Sequence, residues 1–289
     1  GLVLWLERIS SSVGVMVKQM TVRETLTLLD LLDIRKYLFP ASVFQGMRFR
    51  MIESTLGLRE EVRMTYHGKS YKIVFTEDQQ AFLKGIETGG SLFELVESWL
   101  ERTPFLRFEG FDFLSSYKDA VDRMLHKEQA SINDSEYLDE RMRAMRLKML
   151  GDSNSYFKHV LIREEHERLM ASGECRLSYD ATIAALLINL YRDKPILNTP
   201  FSLLTELMNI DELLTTWRYR HAQMVMRMIG NKMGTGGSSG HDYLAATAEK
   251  HKIFKDLHNI SSLLIPRSEL PSLPPGVERN LGFYFSGKK

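Results

Sequence analysis

Trp217-Arg218-Tyr219-Arg220-His221 sets an indole and an imidazole four residues apart. On a helix the two rings share a face, and Val225 and Met228 extend it. An imidazole in an apolar, aromatic and methionine-lined stripe has what an axial haem ligand needs. The ring binds iron, and the flanking apolar groups cover the macrocycle. The plainer alternative is a core histidine whose ring N–H finds a carbonyl, and spacing alone favours it. A second candidate is Gly234-Thr235-Gly236-Gly237-Ser238-Ser239-Gly240. Its glycines let the backbone approach a ligand, and its N–H and hydroxyl groups are donors. No Gly-Lys-Ser/Thr follows, so it is not a P-loop, and it follows a helix rather than the strand a dinucleotide fingerprint requires. Thr235 is a donor to a bound anion, and a flexible inter-helix loop is the alternative. A third candidate is Arg35, on an otherwise apolar helix just ahead of Pro40-Ala41-Ser42-Val43-Phe44-Gln45. A guanidinium there can clamp a carboxylate with two parallel hydrogen bonds. Arg48 and Arg50 are further candidates for carboxylate or propionate pairing, against surface ion pairing for each.

Helices must position these groups. Leu2, Leu6, Ile9, Val13, Met16, Val17 and Met20 recur every three or four residues, which predicts one amphipathic helix. Residues 27–38 continue the pattern and stop before Pro40. Ser42 is a predicted N-cap for a helix over 44–56 that ends at Gly57. The alternation in 62–75 around His67-Gly68-Lys69 predicts a small β-hairpin. Helix returns at 92–101. Residues 116–170 are dense in charge of both signs, which predicts a solvated helical hairpin projecting from the core. Ser178 is a predicted N-cap for a buried helix over 179–191. Helices are also predicted over 210–231 and 243–265, the second closed by Pro266, with an irregular tail from 271. The expected fold class is all-α: a helical bundle, around a haem pocket if His221 is a haem ligand, with the charged hairpin and at most a tiny β-hairpin. The chain divides into core helices at 1–115, a charged insertion at 116–175 and further core helices at 176–289.

Composition narrows the function. The chain has 289 residues, is 44% hydrophobic, and balances 38 Lys and Arg against 37 Asp and Glu for a net charge of +1. That argues against pervasive disorder, and it leaves no long-range field to draw in nucleic acid or an anionic membrane. Cys175 is the single cysteine, which rules out an intrachain disulfide and a cysteine metal cluster and fits a reducing compartment. The longest apolar stretch, 181–190, is too short to span a bilayer. His159 and His166, with Glu164, Glu165 and Glu167 nearby, read as solvated helix surface rather than a metal site.

Taken together, these segments resemble the tryptophan 2,3-dioxygenase family. The resemblance is carried by Trp217-Arg218-Tyr219-x-His221, by Met224-Val225-x-Arg227-Met228-Ile229-Gly230, and by the Gly234–Gly240 run with Tyr243-Leu244. Upstream, Asp33-x-Arg35-x-Tyr37-Leu38-x-Pro40-Ala41-Ser42-x-Phe44-Gln45 and Phe49-Arg50 match in order. So do Leu95-Val96-Glu97-x-Trp99-Leu100-Glu101-Arg102-Thr103-Pro104, Phe254-Lys255-Asp256-Leu257 and Leu264-Ile265-Pro266-Arg267. Together these motifs span nearly the whole chain.

The resemblance implies an all-helical, cytoplasmic homotetramer with haem b. It implies insertion of both atoms of O₂ across the indole C2–C3 bond of L-tryptophan, giving N-formylkynurenine, the first step of the kynurenine pathway. By motif position His221 is the expected iron ligand, Arg35 the clamp on the substrate carboxylate, and Thr235 the contact to the substrate ammonium and carboxylate. Ser42 and Val43 are expected over the distal haem face, with Ser42 also beside substrate. Trp217, Arg50 and Tyr243 are expected near the haem or its propionates. Leu31 stands where the family usually has an aromatic residue beside the substrate, and Val43 where glycine is usual. The family also carries a helical segment ahead of the part matched here, with a distal histidine near the indole N–H. No catalytic residue is therefore assigned with certainty within this chain. Two alternatives stay open: a diverged relative that holds haem or an indole ligand without full turnover, and a haem monooxygenase of another indole.

Overall fold

The apolar repeat at the start of the sequence folds as predicted into α1 (Leu2–Arg23), which buries Leu6, Val13 and Met20. Arg23 in its last turn complements the negative end of the helix dipole. The computed structural model describes residues 1–23, 25, 46–63, 70–108, 111–230, 232 and 240–282. These fall into two units, residues 1–96 with 205–255 and residues 97–204 with 256–289. The predicted helix over 27–38 and the predicted cap Ser42 lie outside the described residues.

In the first unit, α2 (Met47–Leu56) follows Gly46 and ends at Gly57, whose φ is +111°. The Gly57 N–H donates to the Ser54 carbonyl and the Leu58 N–H to the Glu53 carbonyl, a Schellman closure. A Cβ at Gly57 would stand 2.8 Å from the Phe93 Cβ, so glycine is required by both conformation and space. The predicted hairpin over 62–75 is not formed in its described part. Glu60–Val62 and Tyr71–Val74 are 3₁₀ turns instead. Tyr71 and Phe75, four residues apart, both turn inward onto Leu83, a helical spacing rather than an alternating one. A further helix, absent from the sequence-based expectation, is α3 (Glu77–Thr88), which opens with a reciprocal capping box between Thr76 and Gln79. The predicted helix α4 (Leu92–Glu101) forms over the expected residues.

In the second unit, two-residue strands β1 (Arg107–Phe108) and β2 (Phe111–Asp112) pair antiparallel, with Arg107 opposite Asp112. The charged stretch forms α5 (Phe113–Asp134) and α6 (Glu140–Leu161), which pack on each other. Their turn is held by Arg143, which donates to the carbonyls of Ile132, Ser135 and Leu138. The buried residues of α6 sit in its last turns, at Phe157, Val160 and Leu161, while Met142, Met145 and Met149 are exposed. A third helix, α7 (Arg163–Ser172), completes the stretch, so it is more than a hairpin. Ser178 caps α8 (Tyr179–Leu190) by accepting the Ala181 N–H, as predicted. Apolar on every side, α8 is buried along almost its whole length and forms the centre of this unit. Tyr117, Tyr191 and α8's own Tyr179 donate their hydroxyls to the carbonyls of Leu263, Pro271 and Leu161 respectively.

The helix predicted over 210–231 begins earlier, as α9 (Pro195–Ile229). Pro195 suits a first helical position, whereas Pro200, inside the helix, forgoes the bond its N–H would make one turn back and crowds the carbonyl there. The helix predicted over 243–265 is interrupted. It forms α10 (Gly240–Lys250) and α11 (Lys255–Asn259), followed by a 3₁₀ turn at Ile260–Leu263. The break is fixed by the buried Asp211 carboxylate on α9, which accepts the N–H groups of Ile253 at 2.9 Å and Phe254 at 3.1 Å. Among its described residues the tail holds a short helix, α12 (Pro275–Asn280), where none is predicted. Among the described residues no helix is long and apolar enough to cross a membrane.

Candidate functional site

The periodicity of α9 brings Trp217 and His221 together, with ring centroids 5.3 Å apart and planes inclined by 48°. Phe49 of α2 also packs against the indole, at 4.7 Å and 31°. These rings line a cavity of about 140 Å³, to which α10 contributes Leu244 and Thr247. Arg50, Glu53, Arg218 and His251 complete its polar wall.

Burial holds the His221 imidazole below its ordinary pKa, and the charge of Arg23 adds to the effect. The ring is therefore neutral near pH 7, with a lone pair available for a metal. Among the described residues no hydrogen bond to either ring nitrogen is recorded. The plainer alternative, a core histidine satisfied by a carbonyl, has no such carbonyl among them.

The polar wall is built on one carboxylate. Glu53 is fully buried, and it accepts from Arg50 at 2.8 Å, Arg63 at 2.6 Å and Arg218 at 2.9 Å. His251 Nδ1 lies 3.4 Å from the same carboxylate. Burial alone would raise the pKa of Glu53. The His251 hydrogen bond and the three guanidinium charges outweigh it and hold the group far below the usual carboxylate range. His251 is shifted downward, first by burial and against the pull of Glu53, so the contact is a hydrogen bond from a neutral ring rather than an ion pair. The guanidiniums of Arg50 and Arg63 stand over the face of Tyr71, at 5.3 Å and 4.9 Å. Three cations around one anion leave this wall positive, in a setting where charges are screened little.

Of the residues singled out in the sequence, Trp217, His221 and Arg50 meet at one cavity. Arg50 is buried against Glu53, not paired on the surface, whereas Arg48 is exposed. Tyr243 lies on α10, next to the cavity-lining Leu244. Leu31, Arg35, Ser42, Val43 and Thr235 lie outside the described residues. Glu53, Arg63, Arg218 and His251 were not assigned from sequence. Arg50 and Glu53 are three apart, a spacing equally typical of a surface ion pair.

The His159–His166 pair does not form the solvated surface expected of it. His159 is exposed, but His166 is buried, with its Nε2 2.9 Å from the Leu177 carbonyl. Among the described residues no group of three or more His, Cys, Asp or Glu is arranged to hold a metal ion. Burial, with the Asp256 and Glu97 carboxylates, pushes the Cys175 thiol up to about 12, so it stays protonated.

The family profile for tryptophan 2,3-dioxygenase matches residues 2–264. The tryptophan 2,3-dioxygenase of Bdellovibrio bacteriovorus is 45% identical over 280 residues, 97% of this chain and 78% of that protein. The enzyme of the same name from Dictyostelium discoideum is 44% identical over 97% of this chain and 70% of its own length. The one from Xenopus laevis is 42% identical over 96% of this chain and 68% of its own.

Proposed function

The chain belongs to the tryptophan 2,3-dioxygenase family, and on that premise we propose that it opens the indole ring of L-tryptophan with O₂ to give N-formylkynurenine, using haem b ligated by His221. The observation that carries this reading is the state of His221: partly buried, neutral, and packed at a tilt against Trp217 at the wall of a largely apolar cavity. Those are the properties of an axial imidazole, so the donor set fits the cofactor. Bound haem supplies the iron centre for O₂ chemistry, and the protein supplies binding and orientation.

The chain's own residues divide that work. Trp217, Phe49 and Leu244 exclude water from the neighbourhood of the His221 ring. The positive wall at Arg50 suits the carboxylates on a haem edge, and Tyr243 adjoins it in sequence with Leu244. L-tryptophan is a zwitterion, and Arg35 and Thr235 are the groups that would hold its carboxylate and ammonium, giving preference over a bare indole. Leu31 and Ser42 would flank the substrate, and Ser42 with Val43 would limit the space above the haem. We extend the proposal to a homotetramer working in the cytoplasm. The apolar side chains left exposed on α1, among them Leu4, Trp5 and Val22, support an assembly that covers them.

The test is an absorption spectrum of the purified chain with haem, for the parent and for His221→Ala, followed by addition of L-tryptophan and O₂ under reducing conditions. A Soret band lost in the variant, with N-formylkynurenine absorbance rising in the parent, is the expected result. A Soret band without product would replace turnover by haem binding alone, and a product heavier by one oxygen atom would indicate a monooxygenase. Haem binding that survives His221→Ala would overturn the ligand assignment.

A further inference from the structure

A ligating imidazole is normally aligned by a hydrogen bond from its second N–H to a carboxylate, a carbonyl or water. Among the described residues none is recorded for His221, so its ring orientation depends on what packs against it. That is the Trp217 indole, 5.3 Å away, itself held by Phe49 at 4.7 Å.

Both aromatic residues adjoin an arginine bound to the same carboxylate. Phe49 precedes Arg50 on α2, and Arg50 Nη1 donates to Glu53 Oε2 at 2.8 Å. Trp217 precedes Arg218 on α9, and Arg218 Nη2 donates to Glu53 Oε1 at 2.9 Å. The other Arg218 nitrogen donates to the His251 carbonyl at 3.1 Å, so this guanidinium is stretched between two fixed acceptors. Glu53 cannot drift, because its backbone carbonyl accepts the Leu58 N–H in the closure of α2 and its side chain is fully buried. One anion thus ties α2 to α9 one residue away from each ring of the Phe49–Trp217 pair. We propose that Glu53 is the positioning residue for His221, acting through Arg50 and Arg218 on the aromatic pair that sets the imidazole's orientation. The inference rests on His221 being the iron ligand.

Arg63 provides an internal control. It donates to the same Glu53 oxygen as Arg50, at 2.6 Å, and its other contacts are Ser54 Oγ, the Leu58 carbonyl and the face of Tyr71. It adjoins neither Phe49 nor Trp217. Lysine at either arginine position keeps the charge and loses the fork. A purely structural role for Glu53 predicts the same outcome for Arg63→Lys and Arg218→Lys, whereas the positioning role separates them.

The experiment is resonance Raman spectroscopy of the ferrous holoprotein, reading the iron–histidine stretching band in the parent, Arg218→Lys, Arg63→Lys and Glu53→Gln, with His221→Ala to identify the band. Thermal unfolding of each variant shows how far it is weakened. The expected result is a band shifted and broadened in Arg218→Lys and Glu53→Gln but left at the parental position and width in Arg63→Lys, even where Arg63→Lys lowers the unfolding midpoint. A band unmoved in Arg218→Lys, or moved equally by both lysine variants, would overturn the inference. Should Glu53→Gln fail to fold, the two lysine variants decide the matter alone. A band that persists in His221→Ala would remove the ligand assignment and this inference with it, and is distinguishable because it concerns a different variant.

Discussion

Glu53 and His251 carry the buried electrostatics of the first unit, and their shifts have the same consequence for stability. His251 titrates below its ordinary value in the folded chain, first because it is buried. An unfolded histidine takes up a proton near pH ~6.5. Between that pH and the lower folded value the unfolded state binds more protons, so stability falls as pH falls through this window. Glu53 is a depressed carboxylate, so its contribution is present at neutral pH and disappears as the solution becomes strongly acid. Urea midpoints of the haem-free chain are therefore expected to decline from pH 7.5 to pH 5.5, and His251→Gln is expected to lessen that decline, the lowered His221 keeping its own share. An equal slope in the variant would show that another group carries it. None of this is visible in the sequence, where His251 sits in the polar run Glu249-Lys250-His251-Lys252 and looks like solvated surface.

Among the helices, those whose ends are written in neighbouring residues were legible, and those ended by distant groups were not. Gly57 closes α2 through its left-handed conformation, and Ser178 opens α8, each within a few residues of the helix it serves. Gly57→Ala is expected to lower stability by at least the ~1–2 kcal/mol of a left-handed non-glycine residue, with more from the contact to Phe93. Chemical denaturation measures this, and a neutral substitution would mean that the closure relaxes freely. The box that opens α3 was equally local, but Thr76-Glu77-Asp78-Gln79 went unread beside the misleading alternation of 62–75. The break between α10 and α11 had no local signal. No glycine or proline lies between Lys250 and Lys255, and the carboxylate that captures the freed N–H groups comes from Asp211, on a different helix.

For the whole chain, the residual question is what covers its exposed apolar surface. Leu2, Leu4, Trp5, Val15 and Val22 on α1 are all at least half exposed. A monomer rarely leaves that much apolar surface in water. Sedimentation of the purified chain is expected to give a tetramer at micromolar concentration, and Trp5→Glu is expected to shift it toward smaller species. A stable, soluble monomer in the parent would count against the assembly. The long helix α9 carries Asp211, Trp217, Arg218 and His221.

The sequence alone determined the all-helical class, the shared face of Trp217 and His221, and the family. Each rests on spacing within one segment or on long collinear motifs, and local periodicity is set by residues close in sequence. Tertiary structure alone decided that Glu53 gathers Arg50, Arg63, Arg218 and His251, that Asp211 splits a predicted helix, and that His166 is buried. Those outcomes depend on groups from different helices meeting where water is excluded. There a charge must find its partners wherever the fold brings them, and spacing along the chain carries no record of the meeting.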